Sequence, residues 1–144
     1  MIIKVSNFYY LIAGIFAVLF AATHAWNGQS AVLPELQINA ITMGTRTVFM
    51  YVWHIITAEN LVFGIVFILM SFQADRAKVR FAAWMIVSLL IVRLVVILSV
   101  TAFQDASSLT DTLIDSVAIV IYVAFIVLGI RLKPKKAGKS GATF

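Results

Sequence analysis

The sequence predicts an all-α fold: an integral membrane, antiparallel four-helix bundle with both termini cytoplasmic. Three observations predict it. The 144 residues are 62% hydrophobic and 12% charged, with a mean hydropathy of +1.04, too little charge to solvate a soluble domain of this length. The apolar residues form four blocks, 8–26, 47–72, 81–103 and 113–132, each close to the ~20 helical residues that cross a hydrocarbon core. Nine of the eleven Lys and Arg residues (Lys4, Arg76, Lys78, Arg80, Arg131, Lys133, Lys135, Lys136, Lys139) then flank one side of a four-span chain, with Arg46, Glu35, Asp105 and Asp111 on the other. Positive residues stay cytoplasmic. Residues 1–132 thus form a single membrane domain, and 133–144 a basic cytoplasmic tail.

The first block follows Lys4 and ends in Thr23-His24-Ala25, a pattern resembling a signal peptide and its cleavage site; the segment is expected to remain as the first span. Ala13, Ala17 and Ala21 recur every four residues, a small-residue stripe that permits close helix packing. His24 follows three residues later and should face a neighbouring helix rather than lipid. Residues 27–45 are expected to form the longest outer loop. Within it Pro34 can open a short helix whose Leu33, Leu36, Ala40 and Ile41 make one apolar face, lying on the membrane surface or over the bundle as a lid.

The second and third blocks are joined by the short link 73–80, which should make them antiparallel neighbours. Before the fourth block, "SLTD" (Ser108 to Asp111) has the spacing of a capping box. Trp26, Tyr51, Trp53 and Trp84 suit anchoring at the two interfaces. The chain has no cysteine, which excludes thiol redox chemistry, disulfides, and Cys-ligated zinc or iron–sulfur centres. The basic tail reads as a topology signal attracted to anionic lipid, so the expected partner is the bilayer, with no nucleic acid.

Polar residues inside the apolar blocks are the candidate site. The midpoints of the second and third spans fall near Glu59–Asn60 and Val92–Arg93. A lone charge at that depth costs about 3 kcal/mol, so Glu59 and Arg93 should pair, with Asn60 beside them. Above this level His54 lies about 7 Å, and His24 and Asp115 about 10 Å, from the midplane. Those three helices therefore offer two imidazoles and a carboxylate at similar height, a set that can bind a small ligand, hold a divalent metal, or present two axial histidines to a haem. Glu59 is a poor co-ligand for His54, because five residues turn about 140° and rise about 7 Å. Each residue also has a plain structural role available: a hydrogen bond to a carbonyl for His24, complementing its helix N-terminus for Asp115.

"HIITAEN" (His54 to Asn60) resembles the second-helix motif of the membrane-associated proteins of eicosanoid and glutathione metabolism, four-span proteins that are usually trimers. The resemblance implies glutathione contacts from Glu59, Asn60 and Arg93, although Ile56 stands where that family carries an asparagine. "THAWNG" (Thr23 to Gly28) and Trp53-His54 resemble small four-span bacterial proteins of the DoxX-like size class, which implies a bacterial inner membrane and no particular activity. The readings that follow are a polar pocket in the outer half binding a small ligand or metal/cofactor, a non-catalytic accessory subunit of a larger complex or homo-oligomer, and a small transporter or glutathione-transferase-like enzyme.

Overall fold

Among the described residues, four helices are long and apolar enough to cross a membrane. The computed structural model describes residues 4–38 and 41–132, so the tail 133–144, Ala40 and the Leu36 side chain lie outside the described residues. The elements are α1 (Phe8–Asn27), α2 (Leu33–Ile38), α3 (Met43–Ser71), α4 (Arg76–Gln104) and α5 (Leu109–Arg131), with a π-turn over Gly28–Val32 and a 3₁₀ turn over Ala106–Ser108.

The helices outrun their apolar blocks, chiefly at the N-terminal ends. Asn7 caps α1, its side chain accepting from Tyr10 N at 3.3 Å. Thr42 caps α3 by accepting from Thr45 N at 3.2 Å, and Asp75 caps α4 by accepting from Ala77 N at 3.1 Å. These side chains satisfy backbone donors that the first turn leaves unpaired. Helix can therefore begin in polar sequence, before the apolar run.

Two expectations about the connections are corrected. Most of the outer loop is helical: α1 passes through the π-turn into α2. The wider turn comes just before Pro34, whose ring clashes with the preceding carbonyls in an unbroken α-helix. The capping box is not formed, although Ser108 does occupy the N-cap position of α5. Its hydroxyl instead donates to Asp105 Oδ2 at 2.5 Å, and the Ser107 hydroxyl donates to Asp105 Oδ1. The Ser107 and then the Ser108 hydroxyl hold the exposed Asp105 carboxyl below the usual carboxylate range.

Packing is led by the small-residue face of α1. Ala13, Ala17 and Ala21 are buried, as the stripe predicts. Gly14 beside them meets Gly64 of α3 backbone to backbone. A Cβ at Gly14 would lie 2.9 Å from Gly64 O, and one at Gly64 would lie 3.0 Å from Gly14 O and from Val18 N. Contacts along this pair run in opposite order, from Asn7 with Ser71 to His24 with Trp53.

α1 also packs on α5, and α5 on α4, whereas α3 and α4 touch little despite their short link. The two are neighbours through Arg93, which reaches Glu59 and Asn60, rather than by close packing. The link ties their ends, but α1 takes up α3 and α5 takes up α4. The hydrophobic core fills the end near that link, with Tyr10, Phe67, Met70, Ile86, Val87, Leu90, Tyr122 and Ile126 buried. A polar clasp closes this end: Ser71 O accepts from Ser6 N at 2.8 Å and Asn7 N at 2.9 Å, Asn7 Nδ2 donates to Gly129 O at 2.9 Å, and Arg76 Nη2 donates to Ser6 O at 2.6 Å.

Replacing Gly64 by Leu forces the α1 backbone away and should lower unfolding free energy by about 1–3 kcal/mol. Ile65→Leu, on a face that is 49% exposed, should stay within about 0.5 kcal/mol. Unfolding in mixed micelles measures both; equal stability of the two variants contradicts the close approach.

Candidate ligand cleft

Beyond the core, the helices leave a cleft of about 730 Å³ lined from four of them. Its position follows from the helix pairing, because α3 and α4 have no tight mutual contact to fill that end. α1 contributes Phe20, Thr23, His24 and Asn27, and α3 contributes Ile56 and Asn60. α4 adds Leu90, Arg93, Val96 and Ile97, and α5 adds Asp115, Ala118, Ile119 and Tyr122. The walls are largely apolar, with a few polar groups converging.

Arg93 spans the gap between α4 and α3. Its Nη1 donates to Asn60 Oδ1 at 3.1 Å, and its Nη2 pairs with Glu59 Oε2. The Arg93 side chain is 20% exposed and that of Glu59 48%. The pair therefore lies at the rim of the cleft, not enclosed in the core, which corrects the expectation of a buried ion pair. Ile56 and Asn60 stand one turn apart on the α3 face that lines the cleft, and Glu59 flanks that face.

His24 enters the cleft wall from α1. Its ring stacks on Trp53, with centroids 4.2 Å apart and planes 7° from parallel. Trp53 Nε1 donates to the His24 carbonyl at 3.0 Å. Trp53 is thus a packing and hydrogen-bonding partner of α1. Gly28 is buried under the same indole, where any Cβ would overlap the ring. His24 Nε2 is buried and has no hydrogen-bond partner among the described residues.

Two of the three residues expected to share the upper layer line this cleft, His24 and Asp115; His54 does not. His54 is exposed, in a shallow groove made by Thr47, Met50, Tyr51, Ile55 and Ala58 of its own helix. Its Nε2 lies 3.3 Å from Gln29 Nε2. The reason is angular: successive residues turn about 100°, and Trp53, not His54, takes the face toward α1. Among the described residues, no three His, Cys, Asp or Glu side chains gather to hold a metal ion. The metal set of His24, His54 and Asp115 is therefore not assembled. Axial haem ligation by two histidines requires both rings in one space, which this placement does not provide.

The residue that sequence reading passed over is Tyr122. It is 2% exposed and lines the cleft, yet its hydroxyl has no partner among the described residues. Within "AIVIYVAFIV" a tyrosine reads as packing, and the one available signal was its phenolic oxygen in an otherwise apolar run. No family model matches the chain, and comparison with curated proteins and with solved structures finds no relative.

A double-mutant cycle tests the rim. Glu59→Gln and Arg93→Met should each destabilise the protein, with a coupling of about 0.5–3 kcal/mol recovered in the double variant. Strictly additive losses contradict the bridge.

Proposed function

We propose that this is an integral membrane protein, a four-span antiparallel bundle with both termini cytoplasmic, whose cleft binds a small amphipathic ligand in the outer half of the bilayer. The orientation is supported by charge. Lys4, Arg76, Lys78, Arg80 and Arg131 fall at the clasped end with Asp75, and Arg46 falls with Glu35, Asp105 and Asp111 at the end where the cleft lies. By the positive-inside rule the clasp is cytoplasmic and the cleft faces outward. The loose DoxX-like resemblance of Thr23 to Gly28 and Trp53-His54 adds a bacterial inner membrane to the proposal.

The observation that carries the ligand reading is Arg93. A guanidinium midway along a long apolar helix costs about 3 kcal/mol in lipid, and such residues almost always face the bundle interior or a cavity rather than lipid. Here it stands in the wall of an apolar cleft, held in place by Asn60 and Glu59. The volume of about 730 Å³ falls within the roughly 300–1,000 Å³ typical of small-molecule sites. Apolar walls with a few fixed polar groups are the usual composition of such sites. His24, Asp115, Asn60 and Arg93 are the assigned polar contacts, with Glu59 supporting Arg93.

Ala118 lines the cleft with a small side chain, and Ala118→Trp should fill it. Native mass spectrometry of the protein released from its own membranes should show a small molecule retained by the parent. Retention should fall at least about tenfold in the variant, with helix content and melting temperature unchanged. A parent that carries nothing, or equal retention by both proteins, contradicts the proposal.

A further inference from the structure

We propose that the ligand's polar head is an uncharged oxygen acceptor, such as a ketone or ester carbonyl on an apolar body, and that the Tyr122 hydroxyl donates to it. The inference rests on the reading of the cleft as a ligand site and specifies the chemistry it selects.

The first argument is the state of Tyr122. Its ring is held edge-on by Phe20 at 5.8 Å and Phe67 at 6.3 Å between centroids, so the hydroxyl is fixed in direction. At 2% exposure, with no partner among the described residues and a cleft in front of it, it is a buried donor waiting for an acceptor. Buried hydroxyls are normally matched, because leaving one unpaired forfeits the hydrogen bond it made in water. A ligand atom in the cleft can meet the donor. His24 Nε2, unpaired on the neighbouring wall, is a second polar contact for the same head.

The second argument is charge. Arg93 already has its counter-charge in Glu59 and a further acceptor in Asn60, so among the described residues no Arg or Lys of the lining is left without an acid partner to draw an anion. Asp115 in the wall adds a negative charge that opposes a carboxylate or phosphate. A cationic head, conversely, has to lose its hydration against largely apolar walls. A neutral acceptor avoids both penalties. The third argument is the remainder of the wall. Ile56, Val96, Ile97 and Ile119 offer an apolar bed for the rest of the molecule, on the side where α3 and α4 make little direct contact.

The test uses the full chain in lipid nanodiscs and three probes of similar length: 2-undecanone labelled with ¹³C at its carbonyl, decanoate, and decyltrimethylammonium. Binding is read against empty nanodiscs, and the ketone carbonyl band by difference infrared spectroscopy. The expected result is that the ketone binds best and that its bound carbonyl band moves to lower wavenumber. Tyr122→Phe, which keeps the ring, should abolish that displacement and weaken binding about tenfold. Decanoate or decyltrimethylammonium held as tightly as the ketone overturns the inference. So does a carbonyl band that Tyr122→Phe leaves unchanged. Should that variant lose its fold, the ranking of the three probes by the parent protein decides. Failure of all three probes to bind is a different outcome, because it overturns the cleft as a ligand site altogether.

Discussion

The close approach of α1 to α3 at Gly14 and Gly64 governs the rest of the structure. Gly14 and Gly64 let the two backbones approach, each fitting against a side chain of the other helix, Ile68 and Val18, and dispersion across such a seam is the main attraction available to helices that pack in an apolar solvent. With α3 engaged by α1, and α5 packed on another part of α1, α4 finds its partner in α5. The link between α3 and α4 holds only one end of that pair together. The same pairing that makes a dense core near the link therefore leaves a cleft at the far end.

The two ends also differ in how they satisfy polar groups. At the clasp, Asn7, Ser71 and Arg76 meet backbone groups from the chain start, α3 and α5 at hydrogen-bond distance, so backbone groups outside the helical ladders find partners. At the cleft the accounting is incomplete. Arg93 is matched by Glu59 and Asn60, while Tyr122 Oη and His24 Nε2 have no partner among the described residues. Structural polar networks tend to close on themselves, whereas binding sites leave groups for a ligand to complete. That contrast separates the clasp from the cleft more sharply than their shapes do.

The four long helices are legible in the sequence because continuous apolar runs of span length have few other interpretations. Their starts are less so: Arg76 to Arg80 is helical in spite of its charge, since Asp75 caps it and helix formation does not require apolar residues. Ala13, Ala17 and Ala21 announce their packing by spacing alone, but Gly64 is a single glycine in a long helix and signals nothing until α1 lies against it. Depth along a helix, needed to bring Arg93 to Glu59 and Asn60, can be counted at ~1.5 Å per residue. Azimuth is the harder quantity. It depends on which neighbour a helix chooses, and one position of rotation put Trp53 on α1 and His54 outside. The unmatched hydroxyl of Tyr122 depends on every helix around it, so no local pattern could disclose it.

The orientation of the cleft rests on four membrane crossings with the clasp inside. The chain lacks cysteine, so single-cysteine variants in sealed cells can be labelled with a membrane-impermeant maleimide without background. The account predicts labelling from outside at Ser107, in the turn before α5, and protection at Ala77, at the start of α4, until the membrane is broken. Recovery of the protein in the soluble fraction, or labelling of Ala77 in intact cells, contradicts it.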